Sequence, residues 1–277
     1  MIKCTLCPHR CSIEDGQSGF CGVRVNRNDM IVSTNHFRFS AIALDPVEKK
    51  PFYHFHPGKM ILSLGSTGCN LACSFCQNSE ISKEFGNVGN VRTFNLSVDE
   101  IIEQAMLLKD EGNIGIAFTY NEPVVWYDTV MEIAKECKNS GLETAMVTNG
   151  YIEQEPLKEL IPFIDAWNID LKAFSDEFYR TIVRGSLKPV LDTIRTTASE
   201  SHVEITTLVI PGLNDADEEM DKEASFIASV DENIPLHISR FFPRYHLQNI
   251  PPTPVSTLDS LRRTASRHLK NVYIGNV

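Results

Sequence analysis

Short runs rich in β-branched and aromatic residues recur along the chain at residues 60–64, 114–119, 144–148, 166–171, 203–210 and 236–241. Stretches with apolar residues at helical spacing separate them, at 98–109, 124–138, 157–161, 189–198, 218–229 and 258–268. Ser97 followed three residues later by Glu100 is a capping-box signature just ahead of the first such stretch. Strand and helix in alternation imply βαβ crossovers and a parallel sheet. Six units are too few for a closed eight-stranded barrel. The pattern therefore predicts an α/β fold, a partial (β/α)6 TIM-like barrel over residues 60–277. Reactive groups of such sheets gather at the C-terminal ends of the strands, where the chain carries Asn121, Glu122, Asn149, Asp170, Lys172 and Arg240.

Residues 1–28 break the pattern. They are rich in Cys, Gly and Arg with little periodicity, as expected of a small lobe held by a metal instead of a core of its own. Residues 29–59 read as a β-rich connecting segment, with β-prone runs at 30–33 and 39–44 and turn formers at Asp45-Pro46 and Pro57-Gly58. Over 277 residues, 42% are apolar and 22% charged, within the range of globular chains. The charge balance, 26 − 36 = −10, excludes a polycation built to coat nucleic acid. Nucleic acid is not an expected partner, although Arg24, Arg27 and Arg38 could form a local basic patch for RNA modification. No run approaches the roughly 20 apolar residues of a membrane span, and the start has no apolar stretch after its lysine, so the expectation is a cytoplasmic chain with no membrane partner.

Seven of the eight cysteines fall within the first 76 residues. In a reducing compartment such clustering points to metals or catalysis, where a secreted chain would suggest disulfides. Cys69, Cys73 and Cys76 stand at C-x3-C-x2-C directly after the first core strand. A loop of eight residues can wrap three thiolates around three corners of a [4Fe-4S] cluster and leave one iron open to chelate a small molecule. A zinc knuckle more often uses paired C-x2-C units, and core thiols are rare at this density in a polar loop. Cys4, Cys7, Cys11 and Cys21, at C-x2-C-x3-C-x9-C, could close a site completely. Spacing alone leaves zinc and a second iron–sulfur cluster equally open there. His9 beside them reads as a supporting group or an exposed side chain.

The C-x3-C-x2-C loop with Phe75 before its last cysteine resembles that of the radical S-adenosylmethionine (SAM) enzymes. The resemblance implies that Cys69, Cys73 and Cys76 hold the cluster, that its open iron binds the amino and carboxylate groups of SAM, and that one electron yields a 5′-deoxyadenosyl radical. It also places Phe75 near the adenine. Glu122 in Thr119-Tyr120-Asn121-Glu122-Pro123 matches the acid of a Gly-Gly-Glu type of turn that holds the SAM ammonium, with Tyr120 and Asn121 in place of the glycines. Asp170-Leu171-Lys172 is similar to an Asp-x-Lys of the glycyl-radical activating enzymes, which implies that Asp170 meets the ammonium and Lys172 the carboxylate. Residues 170 and 172 share one face of a strand. Those enzymes also carry a late-strand histidine; Phe242 stands near its place, His237 reads as structural, and Arg240 at a strand end suits an anion.

Cys4 to Cys11, Gly19-Phe20-Cys21-Gly22-Val23-Arg24, Asp45 to Pro51 and Val272-Tyr273-Ile274-Gly275-Asn276 resemble the AmmeMemoRadiSam-system proteins, relatives of the pyruvate formate-lyase activating enzymes. That implies an enzyme using SAM, a one-electron donor such as ferredoxin or flavodoxin, and a substrate that could be a protein. Installation of a glycyl radical on a partner is the alternative within this chemistry. A non-catalytic iron–sulfur electron carrier is the alternative outside it, and such a carrier would have no need of Glu122, Asp170 and Lys172 at the mouth. Cys137, Trp126 and Tyr127 read as packed residues, and Lys49 and Lys50 as a solvated pair or anion ligands.

Overall fold

The computed structural model describes residues 1–83 and 91–277. Its centre is an eight-stranded sheet formed by β1 (Ala41–Pro46), β2 (Met60–Gly65), β3 (Asn113–Phe118), β4 (Glu143–Thr148), β5 (Ala166–Asp170), β6 (His202–Val209), β7 (Leu236–Arg240) and β8 (Val272–Gly275). The strands lie side by side in chain order. All neighbours pair in parallel except β1, which pairs antiparallel with β2.

Sequential order without a reversal is the topology of a barrel wall and not of a doubly wound sheet. Parallel neighbours need a crossover. It is supplied by α1 (Val98–Leu107), α2 (Tyr127–Asn139), α3 (Gln154–Leu160), α4 (Leu187–Ala198), α5 (Asp217–Asp231) and α6 (Val255–Ala265). The six expected units are present, extended at one edge by β1 and at the other by β8. The capping box forms: Ser97 Oγ accepts the Glu100 amide and the Glu100 carboxylate accepts the Ser97 amide.

Ala117, Ala145 and Ala166 pair in register across β3, β4 and β5 and leave room beneath for Phe52 and Phe55. The segment carrying those rings closes the N-terminal end of the barrel. Asn168 Nδ2 donates to the Pro51 carbonyl at 2.8 Å, and Tyr53 and His54 amides donate to the Glu204 carboxylate at 3.0 and 2.8 Å. The opposite end, where the strands finish, stays available for chemistry.

The N-terminal segment forms two small hairpins, Ile2–Lys3 with Ser12–Ile13 and Arg24–Arg27 with Met30–Ser33. Its Leu6, Ile13, Cys21 and Val23 are buried in the same apolar cluster as the barrel strands. No helix among the described residues is long and apolar enough to cross a membrane.

Candidate functional site

The loop bearing Cys69, Cys73 and Cys76 leaves β2 at Gly65, where the chain must pass Tyr120. A β-carbon on Gly65 would lie 2.8 Å from that of Tyr120. Gly68, at φ +88°, lies against Val23 and the Cys21 carbonyl. Its own carbonyl accepts Asn121 Nδ2 at 3.0 Å, while Asn121 Oδ1 takes the Ser66 amide at 2.8 Å. Asn121, expected at the cofactor, is thus engaged at both ends of its amide in shaping the cysteine loop. Further along, the Ala72 and Ser74 amides donate to the Val183 and Ile182 carbonyls of the π-helical turn Tyr179–Val183. The three thiols are therefore presented by a backbone held from several sides.

The strand ends bring the expected polar groups to this loop. Asn149, next after β4, directs Nδ2 at Asn70 Oδ1 (2.9 Å) and at Cys69 Sγ (3.8 Å), and the Leu71 amide also faces that sulfur at 3.3 Å. Glu122 is buried beneath. Its carboxylate accepts Thr148 Oγ1 at 2.6 Å and the Asn149 and Val124 amides at 2.8 and 3.0 Å, tying the β3 and β4 ends together. Burial pushes Glu122 up to about 7, against the pull of those hydrogen bonds. Lys172 Nζ pairs with Asp170 Oδ2 at 3.0 Å and sits 5.9 Å from the centre of the buried Phe75 ring. Burial drives Cys73 up to about 11 in spite of the Lys172 ammonium nearby.

Sequence reasoning missed Lys83. Its Nζ donates to the Cys69 carbonyl at 2.6 Å and stands 4.3 Å from the centre of the Phe20 ring, between the two cysteine groups. It missed Asn70 as well. That side chain holds Asn149 and the Tyr151 carbonyl, and its backbone carbonyl meets His9 Nε2 at 2.7 Å. No local pattern marks either residue, because each acts on a partner distant in sequence.

Arg240, the last residue of β7, has other partners among the described residues. Its Nε is engaged by the Thr253 carbonyl at 2.8 Å and its guanidinium covers Phe242 at 4.9 Å. His237 is buried at the closed end of the barrel, 2.6 Å from Glu204. Lys50 is a buried partner of Asp45 at 2.8 Å, with Lys49 on the other carboxylate oxygen at 2.7 Å. Cys137 and Trp126 are wholly buried in the core, while Tyr127 donates to the Pro156 carbonyl at 3.1 Å. Of the three arginines that could have formed a basic patch, Arg24 pairs with Asp128 and Arg38 bonds Thr93.

Cys4, Cys7, Cys11 and Cys21 line a single hollow together with His9 and Phe20. No three His, Cys, Asp or Glu side chains among the described residues meet as ligands of one lone ion would. An iron–sulfur cluster asks for something else: separated thiolates on one loop, with amide donors aimed at sulfur. Cys69, Cys73 and Cys76 lie on one loop, with amide donors at the Cys69 sulfur, and Asp170 and Lys172 stand beside Cys73.

Thiols on a clamped loop at the open end of a partial barrel define a protein of the cluster-and-cofactor class. The comparisons agree. Residues 64–224 match the model of the radical SAM superfamily. Over its whole length the chain is 38% identical to 81% of the uncharacterized protein MJ0808 of Methanocaldococcus jannaschii. It is 27% identical to the putative glycyl-radical enzyme activating enzyme MJ1632 of the same organism, over 76% of this chain and 79% of that one. Streptococcus suis SuiB bound to S-adenosylmethionine shares the fold, with TM-score 0.59 and 13% identity over 75% of this chain and 48% of that chain. The chain belongs to the radical SAM superfamily, enzymes that use a [4Fe-4S] cluster and SAM.

Asn149 should tune the Cys69 thiolate. Asn149→Asp keeps the shape and replaces the amide donor with a charge, and a supporting group of this kind is worth about 10–100-fold in affinity or activity. The measurement is the initial rate of 5′-deoxyadenosine formation per bound cluster. An unchanged rate would remove Asn149 from the site.

Proposed function

We propose that Cys69, Cys73 and Cys76 hold the cluster, that SAM binds across the mouth from Asp170 to Glu122, and that hydrogen is taken from a substrate placed against that mouth. The carrying observation is the assembly at one barrel end of three thiols, an amide on Cys69 Sγ, and the Asp170–Lys172 pair over Phe75. A cluster held by Cys69, Cys73 and Cys76, reduced by a donor of the ferredoxin or flavodoxin type, would supply the electron for reductive cleavage of SAM.

The chain's own residues do the positioning. The Lys172 ammonium, mostly buried beside Cys73, offers a fixed positive charge to the SAM carboxylate, and the more open Asp170 offers the counter-charge to its ammonium. Phe75 gives the adenine an apolar face, and Glu122 holds the β3 and β4 ends in place beneath. Such preorganisation keeps cofactor and target at reacting distance while water is excluded.

The test is anaerobic reconstitution with iron and sulfide, followed by dithionite and SAM. Methionine and 5′-deoxyadenosine should appear in equal amounts. Full iron loading without cleavage would refute the reading.

A glycine of a partner protein is the favoured hydrogen donor, because the relative MJ1632 is described as a putative glycyl-radical enzyme activating enzyme. Proteins from cells grown on [2,2-²H₂]glycine should then place deuterium in the 5′-deoxyadenosine. Unlabelled product made in their presence would favour another substrate.

A further inference from the structure

Glu223 on α5 takes no part in the chemistry above, yet it is a fully buried acid that reaches the Asp170–Lys172 segment. Its Oε1 lies 2.5 Å from the Thr207 hydroxyl of β6, and that hydroxyl lies 2.9 Å from the carbonyl of Leu171, the residue between Asp170 and Lys172. The peptide group joining Leu171 to Lys172 is held at both of its polar atoms. Thr207 holds the carbonyl, and the Tyr179 hydroxyl accepts the amide at 3.2 Å. The next carbonyl, that of Lys172, accepts Asn214 Nδ2 at 2.9 Å. The backbone is thus fixed on both sides of Lys172, and the direction of its ammonium is fixed with it.

A threonine hydroxyl has one hydrogen to donate, and a carboxylate can only accept. An ionised Glu223 would compete with the Leu171 carbonyl for that hydrogen. A protonated Glu223 removes the conflict: its O–H donates to Thr207 Oγ1, and Thr207 donates to Leu171. The surroundings favour the proton. No cation pairs with Glu223 among the described residues, and the charge acting on it is that of Glu219, one turn earlier on α5, which itself accepts the Phe174 amide at 2.8 Å. Tyr179 faces it from the π-helical turn, with a phenol that burial keeps protonated. The cations nearest α5 from the neighbouring helices are engaged elsewhere: Arg195 covers Phe226, and Arg267 and His268 pair with Asp221. Burial holds the Glu223 carboxyl up at about 8, with Thr207 pulling it down and Glu219 pushing it further up.

We infer that Glu223 and Thr207 are positioning residues for SAM: the Glu223 proton directs the Thr207 hydroxyl to the Leu171 carbonyl and so sets the Asp170–Lys172 pair against the cofactor. This deepens the proposed function and rests on its placing of SAM at that pair.

The test uses the full chain, reconstituted without oxygen and left unreduced, with SAM affinity measured by calorimetry and the fold of each variant checked by circular dichroism. Thr207→Val keeps the shape and releases the Leu171 carbonyl, so the Kd for SAM should rise about 10-fold. Glu223→Gln still offers Thr207 a hydrogen and should bind SAM as the wild type does at neutral pH. The two proteins should part above about pH 8, where Glu223 ionises and an amide does not, so the wild-type Kd rises relative to that of the variant. The ratio is the quantity to read, because the α-ammonium of SAM titrates in the same range and cancels in it. A role in packing alone would not move that ratio. The infrared spectrum gives a readout that needs neither SAM nor cluster: Glu223→Gln should lose one protonated-carboxyl C=O band at neutral pH. An unchanged Kd in Thr207→Val, a Kd ratio that stays flat from about pH 7 to 9, or an infrared spectrum that loses no such band would overturn the inference. A wild type that binds no SAM at all would instead refute the proposed function, and this inference would fall with it.

Discussion

Cys73→Ala is expected to abolish SAM cleavage, with a fall of at least about 10³-fold, equivalent to roughly 4 kcal/mol in the barrier. Two thiolates cannot hold a cubane that three were positioned to hold, so the variant should lose iron as well as rate. The loop itself should survive. Its neighbours Ala72 and Ser74 are bonded through their backbones to Val183 and Ile182, and those contacts do not involve the cysteine side chain. Iron content and product formation should therefore collapse while the circular dichroism spectrum stays that of the wild type. A variant that keeps its iron and its rate would remove Cys73 from the ligand set.

The second large effect lies at the other end of the barrel. Glu204 is fully buried on β6 and accepts four hydrogen bonds: from the Tyr53 and His54 amides, and from His202 and His237 at 2.9 and 2.6 Å. Burial alone would raise its pKa, but the bonds from His202, His237 and the two amides outweigh burial and bring it down to about 2. Glu204→Gln offers one accepting oxygen in place of two and turns an NH2 group towards donors. A cost of about 3 kcal/mol follows, or roughly 6–10 °C in melting temperature. A folded pKa below the unfolded one means that the stabilisation is fully present above the unfolded carboxylate pKa and is lost as pH falls towards about 2. The gap between wild type and variant should thus be wide at neutral pH and close below about pH 4. An equal gap across that range would show that the charge is not what stabilises the plug.

Periodicity made the barrel legible, because each buried parallel strand is a short β-branched run and each crossover helix has an apolar stripe. The cysteine loop was legible for a different reason: its ligands are close in sequence. What stayed hidden depends on long-range pairing. The run at 39–44 was visible as β-prone, but nothing local says that β1 joins the sheet antiparallel beside β2. Glu204 shows no more than an acid in a strand, since its amide partners lie some 150 residues away. Asn121 stands just after β3, and strand position cannot show that its amide is engaged by Ser66 and Gly68. Arg240 likewise stands at a strand end, and only the fold reveals the Thr253 carbonyl waiting there.

The N-terminal segment is attached to the barrel in a way that bears on how the whole molecule comes apart. Its Leu6, Ile13 and Val23 lie inside the apolar mass of the barrel, the Glu153 amide donates to the Leu6 carbonyl, and Arg10 grips the Glu153 carboxylate at 2.6 Å. Heat therefore meets one cooperative body, in which the first hairpins melt with the strands they cover. A proteolytic nick or an expression boundary near residue 28 would uncover apolar wall instead of freeing a self-contained module.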